Sequence, residues 1–232
     1  MATVNKHDFI QIGYTGRLKE DKSVFDTTNE SIAKQNNIHN PAMKYGDLII
    51  CLGEGQILMG LEEQLVGKEI GKELTIELAP EHAFGKKNAK LLKLVPTNVF
   101  RRENIQAMPG LQVNMDGMMG TIKTVSGGRT LVDFNHPLSG RDVVYDVKIN
   151  KIITDLKEKV ESYIKMQLNM KDVEAKIEGD AAKLTLKTKL PAELVKIVGD
   201  RLKEIIPEIK KVEFETEEKK KPKAQNLNTS KP

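Results

Sequence analysis

Leu52-Gly53-Glu54-Gly55-Gln56-Ile57-Leu58-Met59-Gly60-Leu61-Glu62-Glu63-Gln64-Leu65-Val66-Gly67-Lys68 is the stretch that decides how the rest of the chain is read. Leu58, Leu61 and Leu65 recur at helical spacing, and Gly67 stands where a left-handed C-cap would end the helix. Such a helix is barely two turns long. A helix that short is unstable alone in water and must lie against a packed surface. Its Gly-rich approach delivers Ile57 and Leu58 as apolar side chains at a turn. A nucleotide site is excluded by the same residues. Leu58 occupies the place of the third glycine of a dinucleotide fingerprint, and no Gly-Lys-Ser/Thr follows for a phosphate loop.

Strands surround this helix in the sequence. Leu48-Ile49-Ile50-Cys51-Leu52 reads as a buried strand feeding it. Upstream, Ile10, Ile12 and Tyr14 share one face of an alternating strand, interrupted at Gly16. Lys19 to Lys22 is a polar turn, and Val24-Phe25-Asp26-Thr27-Thr28 briefly resumes the strand pattern. Ser31 to Met43 is polar and Asn-rich, contains Pro41, and reads as an exposed loop. Downstream, Leu74, Ile76 and Leu78 alternate, and Pro80-Glu81-His82-Ala83-Phe84-Gly85 is a turn carrying one large aromatic. The strand that completes this unit comes much later, where Val143, Tyr145, Val147 and Ile149 alternate with polar neighbours. Between lies Lys86 to Arg141, with its own hairpin signal: Thr121–Val125, a Ser126-Gly127-Gly128 turn, then Thr130–Phe134. That is the pattern of a small β unit inserted at a loop tip, where insertions are tolerated.

After Thr154 the character changes. Asp155 followed by Glu158 resembles a capping box, and Leu156, Val160, Tyr163, Ile164 and Leu168 mark one helical face. Val173, Ala175 and Ile177 alternate, Gly179-Asp180 turns, and Leu184 and Leu186 alternate back. Pro191 starts a second helix with Leu194, Val198, Leu202 and Ile205 on one face, and Val212 and Phe214 suggest a last strand. From Glu217 the chain is Lys-, Pro- and Asn-rich and reads as a disordered tail. The expected domains are therefore residues 1–85 with 141–154, an insert at 86–140, an α-β-β-α-β domain at 155–216, and the basic tail at 217–232.

Composition narrows the classes. In 232 residues, 39% are hydrophobic and 30% charged, enough apolar content to bury a core. A net charge of +4 does not by itself argue for nucleic acid. With no apolar N-terminal segment and no apolar run of about 18 residues, neither secretion nor a membrane span is expected. The single Cys51 fits a reducing cytoplasm and reads as a buried small hydrophobe. His7, His39, His82 and His136 are scattered, so neither a metal nor a cofactor is expected. The Lys86–Lys90 and Lys219–Lys223 runs read as solvated surface, with no nucleic-acid or ribosome contact expected of the tail.

The motifs Gly13-Tyr14-Thr15-Gly16, Phe25-Asp26, Leu52-Gly53 through Gly60-Leu61-Glu62, and Ala83-Phe84-Gly85 occur in an order that belongs to a known family. With Asn135-His136-Pro137-Leu138-Ser139-Gly140 and Val144-Tyr145-Asp146-Val147, the chain resembles the FK506-binding-protein type of peptidyl-prolyl isomerase. The form it resembles is the long archaeal one, related to the bacterial SlyD chaperone. The resemblance covers residues 4 to about 153. It implies an α+β fold, an antiparallel sheet with a short helix and a small β domain inserted in the flap, to which the pattern after Thr154 adds the C-terminal α-β-β-α-β domain. It also implies an apolar cleft for X-Pro peptide bonds. Tyr14, Phe25, Asp26, Ile57, Leu58, Phe84 and Tyr145 would be catalytic, with Ile50 and Leu61 binding substrate. Leu61 stands where many short members have an indole, and Phe84 where most have a Tyr.

The implied reaction needs no nucleophile or metal. Resonance raises the rotational barrier to about 18–20 kcal/mol, and the twisted transition state has lost the charge separation that water stabilises. A dry apolar cleft therefore favours it over the ground state. On pattern alone, Phe25, Leu61, Phe84 and Tyr145 are core residues and Asp26 a turn acid; only the resemblance makes them a site. The insert is Met-rich, with Met108, Met115, Met118 and Met119 beside Val95, Phe100, Leu111, Val113, Val132, Phe134 and Leu138. Met suits a surface that accepts many sequences. The same residues also serve as the insert's own core, yet about fifty residues cannot bury them all. The expected partners are unfolded or partly folded polypeptides with X-Pro bonds. A holdase with weak isomerase activity is the alternative, and a homodimer or adaptor contact is expected of the C-terminal domain.

Overall fold

The computed structural model describes residues 2–170, 172–188 and 190–216; the expectation of a disordered basic tail falls outside the described residues. The described chain packs as two compact units. The first takes in the chain up to Asn5, Ile12–Leu48 and Ile57–Lys151; the second takes in Lys6–Gln11, Ile49–Gln56 and the chain from Ile152 onward.

The N-terminal elements are β1 (Phe9–Leu18), β2 (Val24–Thr27), α1 (Glu30–Gln35), β3 (Leu48–Cys51), α2 (Met59–Leu65) and β4 (Glu73–Leu78). The insert contributes β5 (Leu92–Pro96), α3 (Thr97–Arg102), β6 (Gln112–Met115), β7 (Met118–Ser126) and β8 (Arg129–Asp133) before β9 (Val143–Ile152) returns. The main sheet runs β2-β1-β9-β4, with β3 also pairing β1. Strand β9 is filled by alternation: Val143, Tyr145, Val147 and Ile149 are buried, and Ile76 of β4 stands opposite Tyr145. The short helix α2 buries Leu61 and Leu65 and ends before Gly67, which has φ +79°. At Gly60 a Cβ would lie 2.4 Å from the His82 carbonyl oxygen, so only glycine lets the helix approach the 80–82 turn this closely.

One expectation fails. The stretch read as an exposed loop from Ser31 to Met43 begins with helix α1, capped by the Asn29 side chain, which accepts from the Ser31 and Ile32 amides at 2.9 and 3.2 Å. Its only buried side chain is Ala33, so the element carries almost no apolar periodicity to read. Local capping, with tertiary contact at one small residue, holds it.

The insert forms a separate sheet, β5-β8-β7-β6. Gly127 and Gly128 at φ +56° and +73° make the β7–β8 turn, the left-handed pair that a two-residue hairpin requires. Phe100, Val113, Ile122 and Val132 are its core, and Val95, Leu111, Met115 and Phe134 pack around them partly buried.

In the second unit the order is α4 (Leu156–Gln167), β10 (Val173–Glu178), β11 (Ala181–Leu186), α5 (Ala192–Ile205) and β12 (Lys211–Thr216). Strand β11 is central, antiparallel to β10 and parallel to β12. Parallel pairing demands a crossover, and α5 supplies it. Asp155 caps α4, its carboxylate accepting from the Glu158 amide at 2.8 Å. Val160, Tyr163 and Ile164 of α4 meet Val198, Leu202 and Ile205 of α5 and the inner face of the sheet. Phe9 and Cys51 are buried in this same core.

Candidate active site

The aromatic residues singled out in the sequence converge within the first unit. Strand β1 supplies Tyr14, β2 supplies Phe25 and Asp26, the segment after the 80–82 turn supplies Phe84, and β9 supplies Tyr145. The Phe25 ring meets Tyr145 edge-on at 5.8 Å and Phe84 edge-on at 5.7 Å, and Tyr14 lies 5.7 Å from Tyr145. The two edge-to-face contacts of Phe25 suit ring quadrupoles, and the Tyr14–Tyr145 pair is tilted at 59°. The Tyr14 hydroxyl donates to Asp26 Oδ2 at 2.9 Å.

Neighbouring residues of a regular strand point to opposite faces, yet Phe25 and Asp26 both reach this cluster. A β-bulge is the cause. Gly16 pairs with Asp26 and Arg17 with Val24, leaving Phe25 as the extra residue on its strand. Bulges re-aim side chains in this way. Opposite, Gly16 must lack a side chain: a Cβ there would lie 2.8 Å from Tyr145 Cε1 and 2.9 Å from Phe25 Cζ.

Burial first, then the Asp26 charge, push both the Tyr14 and Tyr145 phenols well above the ordinary tyrosine range. Tyr14 therefore keeps its proton at neutral pH and serves as a hydrogen-bond donor to the carboxylate.

Ile57 and Leu58 lie half-buried just before α2, and Leu61 is buried within it. The Ile57 amide points at Glu62 Oε1 at 3.4 Å, and the Leu58 carbonyl accepts from the Leu61 and Glu62 amides. Glu62, buried at the start of this helix, had no sequence signal beyond its place in the motif. Ile50 is fully buried on β3, within the second unit.

His136 and Ser139 are further residues for which the sequence suggested no role. His136 stacks on Phe84 with centroids 4.9 Å apart and planes 2° from parallel. Ser139 Oγ donates to the Phe84 carbonyl at 2.9 Å, and the Gly140 amide to that of Gly85 at 2.8 Å. The end of the insert is thus fastened to the aromatic turn that carries Phe84.

The substrate-binding residues expected of the insert divide by exposure. Phe100, Val113 and Val132 are buried in its core, and Val95, Leu111, Met115, Phe134 and Leu138 are half-buried. Met108, Met118 and Met119 are exposed, together with Leu92, Leu94 and Val125, which the sequence did not single out. Leu94, 62% exposed, and Met119, 58% exposed, offer the most apolar surface.

A depression of 660 Å³ is lined by Tyr14 itself with Thr28, Glu30, Asp47, Asp146 and Lys148. Its charged and hydroxylic lining is the opposite of what stripping water from an amide requires. Among the described residues one set of metal-type donors gathers: His7, Cys51 and Glu54, with ligand atoms within 4.8 Å of each other. Both Glu54 oxygens, however, accept from the Arg201 guanidinium, at 2.9 and 2.7 Å. That carboxylate already has its counter-charge.

Residues 93–138 match the family model described as FKBP26, IF domain. The chain is 28% identical over 149 residues to the short-type peptidyl-prolyl cis-trans isomerase of Methanocaldococcus jannaschii, covering 64% of this chain and 94% of that protein. It is 32% identical over 105 residues to the FKBP-type 16 kDa peptidyl-prolyl cis-trans isomerase of Escherichia coli strain K12, covering 44% of this chain and 70% of that protein. It is 33% identical over 105 residues to the FKBP-type peptidyl-prolyl cis-trans isomerase SlyD of Vibrio cholerae, covering 42% of this chain and 50% of that one. With a ring cluster built around a Tyr-bonded aspartate, and with these relatives, the chain belongs to the FKBP-type peptidyl-prolyl cis-trans isomerase family.

Proposed function

We propose that this isomerase turns X-Pro bonds of folding chains in the cleft of Tyr14, Phe25, Ile57, Leu58, Phe84 and Tyr145, while its insert holds unfolded segments nearby. The X-Pro ground states are nearly balanced, so the enzyme has only to lower the barrier. Apolar rings that exclude water destabilise the planar, charge-separated amide relative to the twisted one. Asp26, held by the Tyr14 hydroxyl, acts electrostatically on the rotating carbonyl. The observation that carries the reading is the 2.9 Å Tyr14–Asp26 hydrogen bond at the edge of the ring cluster.

The companion holding activity rests on the exposed Leu94, Met108, Met118 and Met119 of the insert. A flexible apolar surface accepts many sequences, and tethering a client there raises its concentration near the cleft. On this reading residues 86–140 work as a functional unit distinct from the cleft.

Proline-limited refolding of a test protein is the decisive experiment. Wild type should accelerate the slow phase, and Asp26→Ala should lose most of that acceleration while still suppressing aggregation. Protection without acceleration by wild type would leave a holdase in place of the isomerase mechanism.

A further inference from the structure

Residues 86–140 hold eight lysines and arginines against three acids, Glu103, Asp116 and Asp133, so the insert carries +5 in a chain whose total is +4. The positive excess is confined to the insert, and the rest of the chain is close to neutral. Asp133 is buried and accepts from the Asn135 amide at 2.9 Å and from the Asn135 side chain at 2.8 Å. Lys86 is paired with Glu81 at 2.5 Å, whereas Arg101, Arg102 and Arg129 are exposed and, among the described residues, have no carboxylate within ion-pairing distance. Register places part of this charge beside apolar surface. Leu94 stands opposite Leu131, Leu92 opposite Asp133 and Pro96 opposite Arg129 across β5–β8. Directly opposed residues share a face, and so do alternate residues of one strand. Leu92, Leu94, Leu131 and Arg129 therefore lie on one face of the insert sheet, away from the buried Val132 and Ile122 of its core. Leu94 is 62% exposed and Leu92 40%. Lys123 is the extra residue where β7 bulges between Ile122 and Thr124, and its charge, with that of Lys87, acts on Asp133. The apolar strip thus has Arg129 at one end and Lys87 and Lys123 near the other, about 13 Å away along β8.

We propose that this face selects its clients by charge, taking unfolded segments that carry aspartate or glutamate on either side of an apolar run. Such selection rests on the reading of the insert as the client-holding element and names the class of client. A segment that lays apolar side chains over Leu92, Leu94 and Leu131 brings its flanking residues within a screening length, about 10 Å at 0.1 M salt, of Arg129, Lys87 and Lys123. Acidic flanks are attracted there and lysine flanks repelled. Each exposed pair contributes little, but several cations acting together steer encounter and decide which sequences are rejected. Polypeptide fits this face better than nucleic acid. Single strands are held by stacking their bases on exposed aromatic rings. The exposed large apolar side chains of the insert are leucines, methionines and a valine, with Phe100 buried and Phe134 half-buried beneath Lys93.

The test uses the full chain and three fluorescein-labelled peptides without proline, identical in their apolar centre and flanked by Glu, Ser or Lys. At 0.1 M NaCl the Glu peptide should bind about five- to tenfold more tightly than the Lys peptide, with the Ser peptide between. At 1 M NaCl, where the screening length is about 3 Å, that ratio should fall below about twofold. Lys123→Glu with Arg129→Glu changes only exposed side chains; it should invert the ranking and leave tetrapeptide isomerisation unchanged. If the double variant does not fold, Arg129→Glu alone should reduce the ratio by about half or more, and an unchanged ratio there overturns the proposal. Equal binding of the three peptides by wild type, or a ranking that charge reversal leaves in place, overturns the charge preference and leaves client holding standing. A labelled oligouridine that binds more tightly than the Glu peptide and displaces it overturns it too, and assigns the charge to nucleic acid. If none of the peptides binds, the client-holding reading falls and the charge preference with it.

Discussion

Gly16 and Asp26 face each other across a bulge, and the site is built on that pairing. Replacing Gly16 with Ala puts a methyl within 3 Å of two rings that are fixed by β-strands. We expect kcat/KM to drop at least about tenfold, with Tm lowered by overpacking of about 1–3 kcal/mol. Unchanged kinetics in a folded Gly16→Ala protein would show that ring placement does not matter. Tyr14→Phe keeps the ring and removes the donor to Asp26. Losing that bond should cost about 1 kcal/mol, or roughly fivefold in kcat/KM, with far less effect on stability. A Tyr14→Phe enzyme as fast as wild type would remove Asp26 orientation from the mechanism. Motif order made every one of these residue names legible. What it did not reveal was the bulge that turns two consecutive residues toward one cluster, because a bulge is a property of pairing with a distant strand.

At the scale of elements, legibility follows periodicity. Strand β9 and helix α4 each carry a long uninterrupted pattern and stand where that pattern put them. Helix α1 and strands β5 and β6 carry little pattern, and nothing local marks them in the sequence. The hairpin β7–β8 was visible through its Gly-Gly turn; its core partner Phe100, on α3, was not visible as core rather than as binding surface. This division predicts two kinds of insert variant. Phe100→Ala empties the core and should cost about 3–5 kcal/mol, melting the insert. Leu94→Lys with Met119→Lys changes only exposed side chains, so stability should hold. Suppression of aggregation should weaken, while tetrapeptide isomerisation should not. A doubly substituted protein that protects aggregating clients as well as wild type would place client binding elsewhere.

For the whole molecule, the buried phenols of Tyr145 and Tyr163 and the half-buried one of Tyr14 set an alkaline limit. Burial is the main cause in each; Asp26 adds to it for Tyr14 and Tyr145, and Glu54 for Tyr163, whose phenol is pushed up to about 12. Above about pH 10 the unfolded chain releases phenolic protons that the folded chain retains. Stability is therefore complete below that pH and declines above it, by up to about 1.4 kcal/mol per pH unit for each of Tyr145 and Tyr163. Urea melts at pH 8, 10 and 11 measure this slope, and Tyr145→Phe should flatten it. Equal midpoints at all three would mean the phenols are not held protonated by the fold.

The amino-acid sequence by itself determined the family, the names of the residues that meet in the ring cluster and the strands and helices with strong periodicity. These are local patterns and ordered motifs, and each is readable within a few residues of itself. Tertiary structure alone decided which groups meet: His136 on Phe84, Ser139 on the Phe84 carbonyl, and Arg201 on Glu54 across 147 residues of chain. Nothing local distinguishes Arg201 from other cations on an amphipathic helix. Its partner is chosen by how α5 packs in the second unit, and packing is a property of the folded chain rather than of any segment.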